Sequence, residues 1–122
     1  MEIKASADFV LVDLPPNLGA ATVAALSLAD LLLVPVPPSG LDLRAAAGLL
    51  VASRVDRRTG AGREVEAVLH DLGEPVAPAV TQRAAHVDAF SAGQWIGTYA
   101  PRSAGHIEIQ TLAALVRRIS SR

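Results

Sequence analysis

Two short runs of unbroken apolar residues, each stopped by paired prolines, constrain this chain more than any other feature. Asp8-Phe9-Val10-Leu11-Val12-Asp13 is closed by Pro15-Pro16, and Leu31-Leu32-Leu33-Val34-Pro35-Val36 by Pro37-Pro38-Ser39-Gly40. Short runs without polar alternation are the pattern of strands buried on both faces, and proline continues neither a helix nor a central ladder. Between them, behind the capping-type residue Asn17, Leu18, Thr22, Val23, Ala25, Leu26 and Ala29 recur at helical spacing. Strand, helix, strand makes a βαβ unit, and that unit predicts a parallel sheet covered by helices.

The following segment answers to two descriptions. Leu41-Asp42-Leu43-Arg44-Ala45-Ala46-Ala47 reads as helix, whereas Leu49-Leu50-Val51-Ala52-Ser53-Arg54-Val55-Asp56 reads as strand, and the two collide around residues 49–52. A parallel crossover needs a dozen or more residues, so the space between the second run and this one is only just sufficient. Residues 63–72 carry Val65, Val68 and Leu69 at helical spacing and end at Gly73. Val76-Ala77-Pro78-Ala79-Val80-Thr81 is a short strand whose proline places it at a sheet edge. Val87 and Phe90 mark one face of a short helix stopped by Gly93, and a glycine-containing loop spans 94–101. Ser103 is a good N-cap for a last helix, striped on one side by Ile109, Leu112, Val116 and Ile119, that is expected to dock on the sheet.

The 51% hydrophobic content excludes a disordered tail, and 122 residues suit one domain, residues 1–122. Without cysteine, disulfides and thiolate chemistry are excluded. His70, His86 and His106 lack metal-ligand spacing, and Ser39, Ser53 and Ser103 sit in no nucleophile elbow. No apolar run is long enough to span a bilayer, so the expectation is a cytoplasmic protein. Charge is uneven. Lys4 and Arg44 against Glu2, Asp8, Asp13, Asp30 and Asp42 leave residues 1–53 at −3, while nine arginines against seven acids leave 54–122 at +2. Arg54, Arg57, Arg58, Arg63 and Arg83, then Arg117, Arg118 and Arg122, make a candidate phosphate-facing patch, with a solvated surface as the alternative.

A carboxylate such as Asp13 ending a parallel strand stands at the edge where such sheets bind ligands. In its wider setting, Asp8 through Asp13 followed by Leu14-Pro15-Pro16-Asn17-Leu18-Gly19 resembles the stretch of the ParA/MinD-type partition ATPases in which a magnesium-binding Asp precedes a Pro-Pro switch. Ala29-Asp30 with the second apolar run and Pro38-Ser39 is similar to that family's next strand and loop. Val55-Asp56-Arg57-Arg58-Thr59 resembles the segment near the adenine, with Ser53 where the family usually has Asn. Arg83, Ala89, Gly93, Tyr99, Pro101, Ser103 and Glu108 match its closing pattern, so the resemblance covers residues 8–119.

The resemblance implies a three-layer α/β fold with a mostly parallel sheet: a truncated P-loop NTPase-like (SIMIBI-type) domain without the P-loop strand. It implies ATP and Mg²⁺ as cofactors. Asp13 would face the metal through water, Pro15 and Pro16 would act as the switch, and Ser53 and Asp56 would lie on the base side. It also implies a role in plasmid or chromosome partition, with a ParB-like partner and nonspecific DNA binding through Arg83, Arg117 and Arg118. Triphosphate binding needs a glycine-rich loop and a lysine, yet the glycines here are scattered and the only lysine is Lys4. The chain is therefore expected not to hydrolyse ATP alone, and to form a homodimer or pair with a complementing P-loop half. The alternative is a non-catalytic interaction module that binds a partition partner.

Overall fold

The computed structural model describes residues 6–17, 19–38 and 48–121. Two compact units divide the chain, Met1–Asp30 and Leu31–Arg122. The expected helix over residues 41–47, with Ser39 and Gly40, lies outside the described residues, as do Lys4 and Leu18.

In the first unit, residues 8–13 do not form the expected buried strand. They form no strand, and Phe9, Val10, Leu11 and Val12 are exposed, Leu11 by 87%. A doubly apolar run becomes a strand only when neighbours supply both the ladder and two covers. The helix α1, Ala20–Leu28, starts later than expected. Asn17 is not its cap: the Asn17 amide donates to the Pro15 carbonyl at 2.8 Å and its Oδ1 accepts from the Gly19 N–H at 3.2 Å. That turn consumes the Asn side chain, and Gly19 takes the N-cap position.

The second unit is a parallel three-stranded sheet in the order β1 (Leu33–Val36), β2 (Leu49–Ala52), β3 (Val76–Ala77). The collision at 49–52 resolves as strand. All four residues of β2 are buried, which its central place requires. Strand alternation then splits them. Leu50 and Ala52, with Val36 and the partly buried Val34 and Val76, face Val65 and Leu69 of α2 (Gly60–Asp71). Leu49, Val51 and Ala77 face Leu112, Leu115, Val116 and Ile119 of the last helix, Ala104–Ser120. Helices therefore cover opposite faces, and the unit has three layers. Burying each large core side chain contributes roughly 1.5–3 kcal/mol.

The helix ends follow from their caps. Thr59 Oγ1 accepts from the Gly62 N–H at 3.0 Å, so α2 begins three residues before the apolar spacing suggests. Gly73, at φ +76°, closes it in the left-handed conformation that glycine adopts without strain. Two short helices follow, α3 (Ala84–Ser91) and α4 (Ile96–Tyr99), the second inside the expected loop. On α3 the buried residue is Ala89, whereas Val87 and Phe90 point outward, Phe90 at 87% exposure. The last helix, α5, is capped as expected by Ser103, whose hydroxyl accepts from the His106 N–H at 3.2 Å. Among the described residues no helix is long and apolar enough to cross a membrane.

Candidate functional site

Parallel α/β sheets bind ligands beyond the carboxyl ends of their strands. Here that edge is built by the continuation of β2 and β3. The Ser53 N–H donates to the Val36 carbonyl at 2.9 Å, and the Val80 N–H to the Ala52 carbonyl at 2.8 Å. A parallel bridge then joins Val55 to Thr81, with the Val55 N–H on the Val80 carbonyl at 3.1 Å and the Gln82 N–H on the Val55 carbonyl at 2.9 Å. Pairing thus runs past the formal strand ends and fixes Ser53, Asp56, Thr81 and Arg83 on one rim.

Asp56 is spent on its own turn. Its Oδ1 accepts from the Arg58 N–H at 3.0 Å and from Arg58 Nε at 2.9 Å, and its Oδ2 from Nη2 at 2.8 Å. These bonds hold the Asp56 carboxyl down to about 2 and raise the Arg58 guanidinium above its ordinary value. The Asp56 carbonyl accepts from the Thr59 hydroxyl at 2.9 Å, and it lies where a β-carbon on Gly62 would stand. Only glycine lets the first turn of α2 approach the loop this closely. Arg57 pairs with Glu66 at 2.8 Å, and Arg63 Nη1 donates to the Arg57 and Arg58 carbonyls at 3.3 and 3.1 Å.

Glu108 joins β3 to α5. Its Oε2 accepts from the Thr81 N–H at 3.1 Å and from Arg83 Nε at 3.4 Å, while Oε1 accepts from Arg83 Nη2 at 2.8 Å. Burial would raise the Glu108 carboxyl, but the hydrogen bonds from Arg83 and Thr81 outweigh it and hold it below its ordinary value. The Arg83 guanidinium is raised by the same contact, against an opposing effect of burial. This ion pair brings the start of α5 to the carboxyl edge. Just before α5, the Arg102 N–H donates to Nδ1 of the buried His106 at 2.9 Å, and the His106 ring meets Trp95 edge-on with centroids 4.9 Å apart.

The predicted site residues therefore separate into groups. Ser53, Asp56 and Arg83 share the rim. Arg117 and Arg118 lie in the last turn of α5, exposed, about 14 Å along the helix from Glu108 at 1.5 Å per residue. Arg83 is not the open cation the sequence suggested, because its guanidinium is committed to Glu108 with 34% of the side chain exposed. Asp13, Pro15 and Pro16 belong to the other unit, where Asp13 is exposed and Pro16 begins the bend onto Asn17. Among the described residues no group of three or more His, Cys, Asp or Glu is placed to hold a metal ion.

The left-handed backbone at Arg54 and Arg102 escaped the sequence. Arg54 and Arg102 are the two non-glycine residues with positive φ among those described, at +54° and +61°. Both are exposed, and their guanidinia have no side-chain partner among the described residues. Arg54 belongs to the arginine patch read from the sequence, whereas Arg102 is marked there only by its place just before a capping serine.

No family model matches the chain, and no solved structure matches it. Relatives in two strains of Mycobacterium tuberculosis, each described as an uncharacterized protein, are 33% identical over 128 aligned positions. The alignment covers 87% of this chain and 40% of each relative, so the chain spans well under half their length.

Proposed function

We propose that this chain is the carboxyl part of a ParA-like partition domain, of P-loop NTPase-like fold, that handles nucleotide only together with a partner supplying the phosphate loop. The observation that carries this reading is the strand order. Ligand crevices in open parallel sheets open where the strand order reverses. In β1-β2-β3 the chain steps steadily in one direction, as one lip of such a crevice would, and no reversal falls among the described strands. The motif series from Asp13 to Ser103 supports the same reading.

The residues present do not fit a triphosphate: the chain has a single lysine, Lys4, and no glycine-rich loop. Hydrolysis is therefore not assigned to this chain. Asp13 would contribute a water-mediated carboxylate to Mg²⁺, Pro15 and Pro16 the switch, and Ser53 with the Asp56 turn the base side. Arg117 and Arg118, exposed at the end of α5, are the better DNA contacts, with Arg83 holding the rim rather than reaching phosphate. A ParB-like protein is the proposed regulator.

The test is ATP·Mg²⁺ binding by this chain, by a separately expressed polypeptide carrying the glycine-rich loop of a partition ATPase, and by the two together. Neither is expected to bind at micromolar strength alone, and the mixture is. A mixture that stays inert sinks the reading. A mixture that co-purifies without binding nucleotide favours a non-catalytic interaction module instead, a reading supported by the exposed Val87, Phe90, Trp95 and Tyr99 on α3 and around α4.

A further inference from the structure

The five described arginines between residues 54 and 83 look equivalent in the sequence, but the fold treats them differently. Arg57, Arg58 and Arg83 are each ion-paired, and Arg63 is donated to two backbone carbonyls. A guanidinium already neutralised by a carboxylate has little left to offer an anion. Arg54 alone of the five makes no side-chain bond among the described residues, and it stands two residues past the carboxyl end of the central strand β2.

Arg102 stands in the same condition. It precedes α5, whose first turns reach the carboxyl edge through the bond from the Thr81 N–H to Glu108. Val55, next to Arg54, is bridged to that same Thr81. The backbone therefore brings the segments that carry both arginines to one end of the sheet, linked through Thr81 and Glu108. Each occupies the left-handed region, which strains a non-glycine residue and recurs among residues at functional sites. Asn or Gly would satisfy either turn at less cost. An exposed arginine at such a position, with no side-chain partner among the described residues, is free to meet something outside the chain.

We propose that Arg54 and Arg102 form a phosphate-binding pair on the carboxyl edge of the sheet. Planar guanidinia with several donors suit a phosphate dianion or a phosphodiester, and fixed backbone turns hold their stems. The pair does not depend on a nucleotide triphosphate site, because neither residue belongs to a phosphate loop. The phosphate comes either from a free nucleotide or from a nucleic-acid backbone.

The experiment follows the Arg Nε–H resonances of the ¹⁵N-labelled full chain during titration with inorganic pyrophosphate, then with ADP and with a short DNA duplex. Arg54 and Arg102 signals are expected to shift together. Arg54→Asn and Arg102→Asn should each weaken pyrophosphate binding about tenfold, the loss expected for one charge-assisted hydrogen bond. Both variants should melt no lower than the parent, because Asn tolerates positive φ. Arg57→Gln, which removes an already paired guanidinium, should leave pyrophosphate binding unchanged. Tighter binding of ADP than of pyrophosphate identifies a nucleotide source. Duplex binding that falls steeply with salt identifies a nucleic-acid backbone. The proposal is overturned if no probe shifts either resonance, or if Arg57→Gln weakens binding as much as Arg54→Asn does.

Discussion

Residues 9–12 and 49–52, Phe-Val-Leu-Val and Leu-Leu-Val-Ala, are near-synonyms by composition and opposites by fate. The second is the buried centre of a sheet, with Leu50 fully inaccessible, and the first lies exposed and forms no strand. The difference is not in the runs. β2 has a parallel neighbour on each side, α2 over one face and α5 over the other. Apolar content makes a strand possible, and only the covers make it a strand.

The largest effect should come from cutting each run at its middle. Leu50→Ala removes a side chain packed against α2 and leaves a cavity, which should cost about 3 kcal/mol. Leu11→Ala removes a solvated side chain and should change stability by less than about 0.5 kcal/mol. Paired urea melts of the two variants read the contrast, and a comparable loss at Leu11 would erase it. Removing the first cover is the next test. Gly62→Ala drives a methyl into the Asp56 carbonyl, so the start of α2 must shift off the loop, at a cost of about 2 kcal/mol by thermal melting. An unaltered melting temperature would mean that α2 is not held where its cap places it.

The second cover is held more lightly. Glu108→Gln weakens the tie from α5 to Thr81 and Arg83 and should cost about 1 kcal/mol, since a fifth of the Glu108 side chain is exposed. The same contact sets a pH dependence. Glu108 and Asp56 are both held below their ordinary values in the folded chain, so their contribution is complete above the unfolded carboxylate range, about pH 4. It is lost as pH falls from there toward about 2, the folded value of Asp56. Acid melts should steepen in that window, and in Glu108→Gln only the Asp56 part should remain. A parent protein with flat stability from pH 5 to about 2 would contradict this.

Much of the second unit is legible without coordinates. Pro78 announces an edge strand, Ser103 announces α5, and Leu112, Val116 and Ile119 announce the face that docks. What is legible there is local: a cap, a period, a missing donor. The rim is another matter. Asp56 and Arg58 are two residues apart, Arg57 and Glu66 nine, Arg83 and Glu108 twenty-five, and nothing in composition says which arginines those acids neutralise. A charge count therefore reads one patch where, among the described residues, the fold pairs Arg57, Arg58 and Arg83 with carboxylates and leaves Arg54 and Arg102 open. Gly62 looks like any other glycine until the Asp56 carbonyl is seen behind it. Asn17 has the right chemistry for a helix cap, but a nearer amide claims its oxygen.

Pro35 carries one last consequence. The carbonyls of Leu32 and Val36 face β2, so by alternation the nitrogen of Pro35 faces outward. The β1 margin of the described sheet thus lacks an outward N–H that a stray strand would need. When the protein is concentrated, self-association by cross-strand growth has poor purchase on that margin. The exposed Phe9-Val10-Leu11-Val12 stretch, rich in β-formers and free of proline, is the natural seed of fibrils or gels, and a lysine at position 11 is the simplest solubilising change.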